Sequence, residues 1–97
     1  MRDEHLFVVV AYDITDDRRR LRVMKMLQGY GEHVQESVFE CHLKRSVYRQ
    51  MLQRLRKLMN KGEDNVRLYH LCRTDVERIR ELGVGRAVQL EEEFRIV

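Results

Sequence analysis

Leu6, Val8, Val10, Tyr12 and Ile14 alternate with Phe7, Val9, Ala11 and Asp13, so both sides of the first apolar run are hydrophobic until Asp13. The run is too short to span a membrane and too rich in valine to favour a helix, which predicts a strand buried on both faces. A Thr15-Asp16-Asp17 turn follows, and Thr15 or Asp16 is placed to cap a helix. Val23, Met24, Leu27 and Tyr30 form that helix's apolar stripe, and Gly29 with Gly31 supplies its stop. From His33 to Leu43 the period returns to two, with Phe39, Cys41 and Leu43 on one side and Val34 and Val38 on the other. Its length and mixed faces predict a bend or bulge that divides it into two short strands.

Tyr48, Met51, Leu52, Leu55 and Leu58 stripe a second helix over residues 44–60, and Val66 to Leu71 reads as another strand. Thr74-Asp75-Val76-Glu77 has the form of a capping box for a short helix ending at Gly83. Phe94 to Val97, behind Glu91-Glu92-Glu93, reads as a terminal strand that crosses to a partner subunit or meets another protein. The order predicts one α+β domain over residues 1–97, with 84–97 as a C-terminal strand extension. Two main helices lie on a mainly antiparallel sheet, and the simplest form is a ferredoxin-like sandwich. One helical layer leaves the far face of the first strand uncovered. The economical cover is a sheet-to-sheet homodimer about a two-fold axis, which brings Asp13 of one copy towards Asp13 of the other.

The chain has 97 residues and a net charge of +3, from 19 basic and 16 acidic side chains. That excess permits a nucleic-acid partner without requiring one. No signal peptide, membrane-spanning run or lipidation motif is legible, and a cytoplasmic protein without a membrane partner is expected. Cys41 and Cys72 lie in apolar-patterned segments and read as reduced core residues, with a disulfide or zinc pair as the lesser alternative. The distribution of charge says more than its sum. Arg18, Arg19, Arg20 and Arg22 crowd the start of the first helix, where the dipole disfavours cations, so they imply an anionic partner or internal ion pairs. The second helix carries Lys44, Arg45, Arg49, Arg54, Arg56 and Lys57, and no acidic residue interrupts Cys41 to Lys61. A face of one sign calls for an anionic partner or a reason to tolerate self-repulsion.

Asp13 is the strongest candidate for chemistry. Magnesium takes hard oxygens and needs one or two protein carboxylates when substrate phosphates complete its shell. Paired across a dimer, Asp13 would supply them; alternatively it caps the turn that follows. Asp16 and Asp17 read as cap and dipole partners. Arg20 and Arg22 are candidate phosphate donors or partners of those aspartates. Tyr12 reads equally as a core tyrosine or a nucleic-acid contact, and Phe39 as core more than as a base-stacking platform. Arg49, Arg54 and Arg56 are candidate duplex-phosphate contacts with little sequence preference. The histidines do not cluster in sequence, and no zinc site is expected.

The stretch YDITDDRRRLRVMKMLQGYGEHVQESVFECHL, from Tyr12 to Leu43, closely resembles CRISPR-associated protein 2, the small subunit of the spacer-adaptation machinery. Val66 to Leu71 fits that family's later strand, and the Glu-rich end fits it loosely. The resemblance implies a ferredoxin-like homodimer holding Mg2+ between the two Asp13 side chains. It implies cleavage of single-stranded RNA or double-stranded DNA, and a bridging role between pairs of the larger CRISPR-associated integrase on DNA. By position, Tyr12, Asp13, Arg20, Arg22, Ser37 and Phe39 match residues implicated in metal binding, nucleic-acid contact or activity. His33 stands where some members have an arginine, and His70 where proline is frequent. A ferredoxin-like RNA-cleaving toxin of a toxin–antitoxin system is the alternative with the same fold.

Overall fold

A computed structural model describes residues 4–84. Four strands, β1 (His5–Asp13), β2 (Glu32–Gln35), β3 (Val38–Lys44) and β4 (Asn65–Leu71), alternate with helices α1 (Asp17–Gln28) and α2 (Arg45–Leu58), and a short α3 (Arg73–Glu77) follows. The sheet order is β2-β3-β1-β4, with all neighbours antiparallel. This βαββαβ order is the ferredoxin-like arrangement expected from the pattern. β1 is central because both its faces are apolar, and it pairs over its length with β3 and β4. The predicted interruption of residues 33–43 is a hairpin between β2 and β3, with the ladder irregular between His33 and Gln35. Among the described residues, no helix is long and apolar enough to cross a membrane.

The inner face of the sheet carries Val8, Val10, Tyr12, Phe39, Cys41 and Leu43, which pack against Val23, Met26 and Leu27 of α1 and Met51 and Leu55 of α2. Asp16 caps α1 by accepting from the Arg19 amide at 2.9 Å. Met26, absent from the expected stripe, is buried because the helix turns a broad flank to the sheet. The capping box of α3 is shifted from its expected frame: Cys72 is the cap, and the Asp75 carboxylate accepts its backbone N–H at 3.3 Å. β4 stays in the ladder as far as Leu71, paired with Phe7, so the helix starts as soon as the chain is free. It stops at Glu77, well before Gly83. Cys41 is buried as expected, and burial pushes its thiol up to about 11. Cys72 is not a core residue, because its cap position leaves it exposed.

Asp64 ties α1 to the α2–β4 connection. Its carboxylate has no solvent-exposed side-chain surface and accepts from Arg19 Nε at 2.7 Å, Arg19 Nη2 at 3.0 Å and the Asn60 amide at 2.8 Å. The hydrogen bond from Arg19 holds the carboxyl below its usual range, although burial opposes it. A depressed folded-state value stabilises the fold above the unfolded carboxylate pKa of about 3.9, and this contribution is lost as pH falls through the folded value. Asp64→Asn is therefore expected to lower the melting midpoint at pH 7. The gap to the unsubstituted protein should close in melts towards pH 2; a gap constant with pH would refute the charge-based account.

The outer face of the sheet carries Phe7, Val9, Ala11 and Asp13 from β1 and Val38, Glu40 and His42 from β3. The segment after α3 runs beside part of it: Ile79 to Leu82 and Val84 line a cavity of about 590 Å³ together with Glu32, Val34, Val38 and Glu40. Glu40 is raised there by burial first, then by Glu32 and Glu81. Phe7, Val9 and Ala11 remain partly exposed, so an apolar strip is left uncovered among the described residues. Of the expected 84–97 extension only Val84 is described, and the expected strand at 94–97 lies outside the described residues.

Candidate functional site

Asp13 ends β1 opposite Asn65, the first residue of β4. Its carboxylate is exposed and makes no hydrogen bond or ion pair with the described residues. The turn-capping alternative is thus not used, and the capping is done by Asp16. Among the described residues no group of three or more metal-binding side chains is assembled. Asp13 therefore stands as a lone hard carboxylate at this point among the described residues. A lone carboxylate is compatible with magnesium, an ion that takes one or two protein carboxylates when other oxygens fill its shell.

The turn behind Asp13 is held by Arg20, whose Nη1 donates to the carbonyls of Ile14 at 3.0 Å and Thr15 at 3.3 Å. Its Nη2 pairs with Asp17 at 2.6 Å. Arg20 is thus engaged within the chain and sets the exit of β1. Arg19 is committed to Asp64 and Glu63. Arg18 and Arg22 are exposed and have no partner among the described residues. One helical turn apart, they share a face with Lys25.

Beside Asp13 lies the β2–β3 turn. The Tyr12 amide donates to the Ser37 carbonyl at 3.1 Å, and the Tyr12 hydroxyl donates to the Glu36 carbonyl in a long hydrogen bond of 3.4 Å. Burial raises the Tyr12 pKa, so the phenol stays a donor at neutral pH. His33 Nε2 lies 2.9 Å from the same Glu36 carbonyl. Because a carbonyl only accepts, His33 carries its proton on Nε2 there. The His33 ring stacks on Phe39, with centroids 4.4 Å apart and planes 3° apart, and Tyr12 stacks on Phe39 at 6.3 Å. Phe39 is 0 % exposed and Tyr12 6 %. Of the two readings left open for these residues, core and nucleic-acid contact, the burial is that of core residues: neither ring faces solvent in the single chain, and they support the turn from inside. Ser37 is half-buried and meets Tyr12 through its backbone. Gly31 permits this packing, since a Cβ there would fall 2.5 Å from both Cys41 Sγ and the Glu40 carbonyl.

Sequence reasoning missed the buried role of His33. Its single legible signal was a histidine at an inward position opposite Phe39, and its partner is a backbone carbonyl that residue type does not reveal. On α2, Arg49, Arg54, Arg56 and Lys57 are exposed, but they are not equivalent. Arg54 Nη1 donates to the Tyr30 hydroxyl at 3.0 Å, with its guanidinium 5.6 Å from that ring's centroid. Arg45 pairs with Glu4 at 2.7 Å. Arg49 and Arg56 keep their charges unpaired among the described residues.

A family model described as CRISPR associated protein Cas2 matches residues 6–79. A CRISPR-associated endoribonuclease Cas2 of Chloroflexus aurantiacus is 41% identical over 93 residues, spanning 95% of this chain and 100% of that protein. The crystal structure of a hypothetical protein from Thermus thermophilus superposes with a TM-score of 0.76 at 39% identity, covering 84% of this chain and 95% of that one. A chain of a partial Cas6-RT-Cas1–Cas2 complex superposes with a TM-score of 0.70 at 25% identity, covering 79% and 90%.

Proposed function

This chain belongs to the CRISPR-associated Cas2 family, and on that membership we propose that it acts in CRISPR adaptation as a homodimer that binds duplex DNA and bridges pairs of an integrase subunit. Its nuclease site is a magnesium-dependent one built on Asp13. The relative from Chloroflexus carries the name endoribonuclease, which supports phosphodiester hydrolysis, and the structural neighbour from a complex containing Cas1 supports an integrase partner. The family match favours adaptation over the toxin alternative. The observation that carries the site is the exposed Asp13 carboxylate, unpartnered among the described residues at the end of a strand whose outer face is partly uncovered. Packing that face against a second copy covers Phe7, Val9 and Ala11 and brings the two Asp13 side chains together.

Magnesium bound there would polarise a phosphate and lower the pKa of an attacking water. The chain itself supplies the carboxylate, the Arg20 clamp on the exit of β1, and the Tyr12–His33–Phe39 support beneath the neighbouring turn. Phosphate binding falls to arginines without internal partners, Arg18, Arg22, Arg49 and Arg56. The test is cleavage of single-stranded RNA and of duplex DNA with Mg2+, with Asp13→Ala prepared in parallel and duplex binding measured on both. Loss of cleavage by about 100-fold or more with binding retained is the expected result, the size typical of removing a group that acts in the transition state. Equal cleavage by both proteins would remove Asp13 from the site, and cleavage by neither would leave bridging without hydrolysis.

A further inference from the structure

The chain has four histidines, and the fold uses two of them internally: His33 holds the Glu36 carbonyl, and His70 Nε2 lies 3.0 Å from the Tyr48 hydroxyl. The other two, His5 and His42, have no hydrogen bond to the described residues, yet the fold brings them together. Phe7 pairs with His42 and His5 with Lys44 in the β1–β3 ladder, so the two imidazoles are diagonal neighbours on the outer face of the sheet. Their ring centroids are 5.2 Å apart and their planes meet at 61°. In the single chain both rings are exposed, and they line a cavity of about 580 Å³ with Phe7, Leu71, Arg73, Val76 and Glu77.

We propose that His5 and His42 form a binding site for a divalent late first-row transition ion such as zinc, with Glu77 as the carboxylate that closes it. Zinc binds imidazole nitrogen at about 2.0–2.1 Å in tetrahedral geometry, which sets two ligating rings about 5 Å apart between centres. The observed 5.2 Å between ring centroids is of that size. Imidazole nitrogens select zinc, copper or nickel over magnesium. The site lies eight residues along β1 from Asp13, about 26 Å at strand rise, and differs from it in both place and ligand chemistry. Glu77 is not preassembled with the rings as a three-ligand group. Its present partner is Arg73 Nε at 3.7 Å, beyond hydrogen-bond distance and on an exposed surface, so a rotamer change towards the rings gives up little.

The experiment is a zinc titration of the full chain by competition with a chromophoric chelator, run in a Cys72→Ser background so that the exposed thiol cannot contribute. One zinc per chain is expected, with affinity falling at least tenfold in His5→Ala and in His42→Ala, less in Glu77→Gln, and not in Asp13→Ala. Because ligand binding to the native state raises its stability, zinc should also raise the melting temperature of the parent and not of the histidine variants, which also reports that those variants fold. Absence of zinc uptake by the parent, undiminished uptake by both histidine variants, or loss in Asp13→Ala alone would overturn the proposal.

Discussion

Phe39→Ala is expected to destabilise the fold by about 3–5 kcal/mol, the range for truncating a fully buried aromatic. Phe39 has no exposed surface and lies where β1, β3 and the helical layer meet, opposite Val10 in the ladder. Removing its ring deletes the surface on which His33 lies nearly parallel and against which Tyr12 stacks. Both of those residues hold the Glu36 carbonyl, so the cavity also loosens the turn next to Asp13. Phe39→Leu keeps most of the apolar volume and should recover more than half of the loss. Urea unfolding at one fixed protein concentration makes the comparison, because subunit association would otherwise add to the apparent stability. A loss below about 1 kcal/mol for Phe39→Ala would show that the site collapses around the missing ring and that the stack does not organise the turn.

The sheet was readable because its signal is local. Alternation from Leu6 to Asp13 assigns each side chain to a face without reference to other strands, and the structure keeps that assignment. The cap at Asp16 was readable for the same reason, its partner being three residues away. What escaped depends on distant or backbone partners. Arg19 and Arg20 look alike in sequence, but Arg19 finds Asp64 across the domain whereas Arg20 binds Asp17 and the carbonyls that close the β1 exit. The box at Thr74 to Glu77 fits the capping pattern in isolation, and the ladder pairing of Leu71 with Phe7 decides instead that the helix begins at once after Cys72. His5 and His42 lie on different strands, and only the register of β1 with β3 makes them neighbours. At Asp13 the sequence supplied the position and the carboxylate. Its exposure, and the absence of a partner among the described residues, became visible only with the fold.

Replacing Arg49 and Arg56 together with glutamate should weaken duplex binding by about 100-fold or more at moderate salt and flatten its salt dependence, whereas Arg54→Glu should do far less to either. At about 100° per residue, Arg45, Arg49 and Arg56 fall along one side of α2, while Arg54 is turned by roughly 140° from Arg49 towards α1. Arg54 is already occupied by Tyr30 and Arg45 by Glu4, so Arg49 and Arg56 are the arginines of the basic set whose charges stay open among the described residues. The helix has no acidic residue in its first turn and no side-chain cap, so nothing along it offsets their repulsion. In a homodimer the pair becomes four cations. If each meets one phosphate, their loss should reduce the slope of log affinity against log salt by about 3–4, from roughly 0.9 per neutralised phosphate. Fluorescence anisotropy with a labelled duplex over a range of potassium chloride separates the cases. Unchanged affinity and unchanged slope would together move the duplex to another surface, with Arg18 and Arg22 on α1 as the remaining open pair to reverse. A drop in affinity with no change in slope would mean that the substitutions act by unfolding α2, which a melting curve on the same sample would reveal.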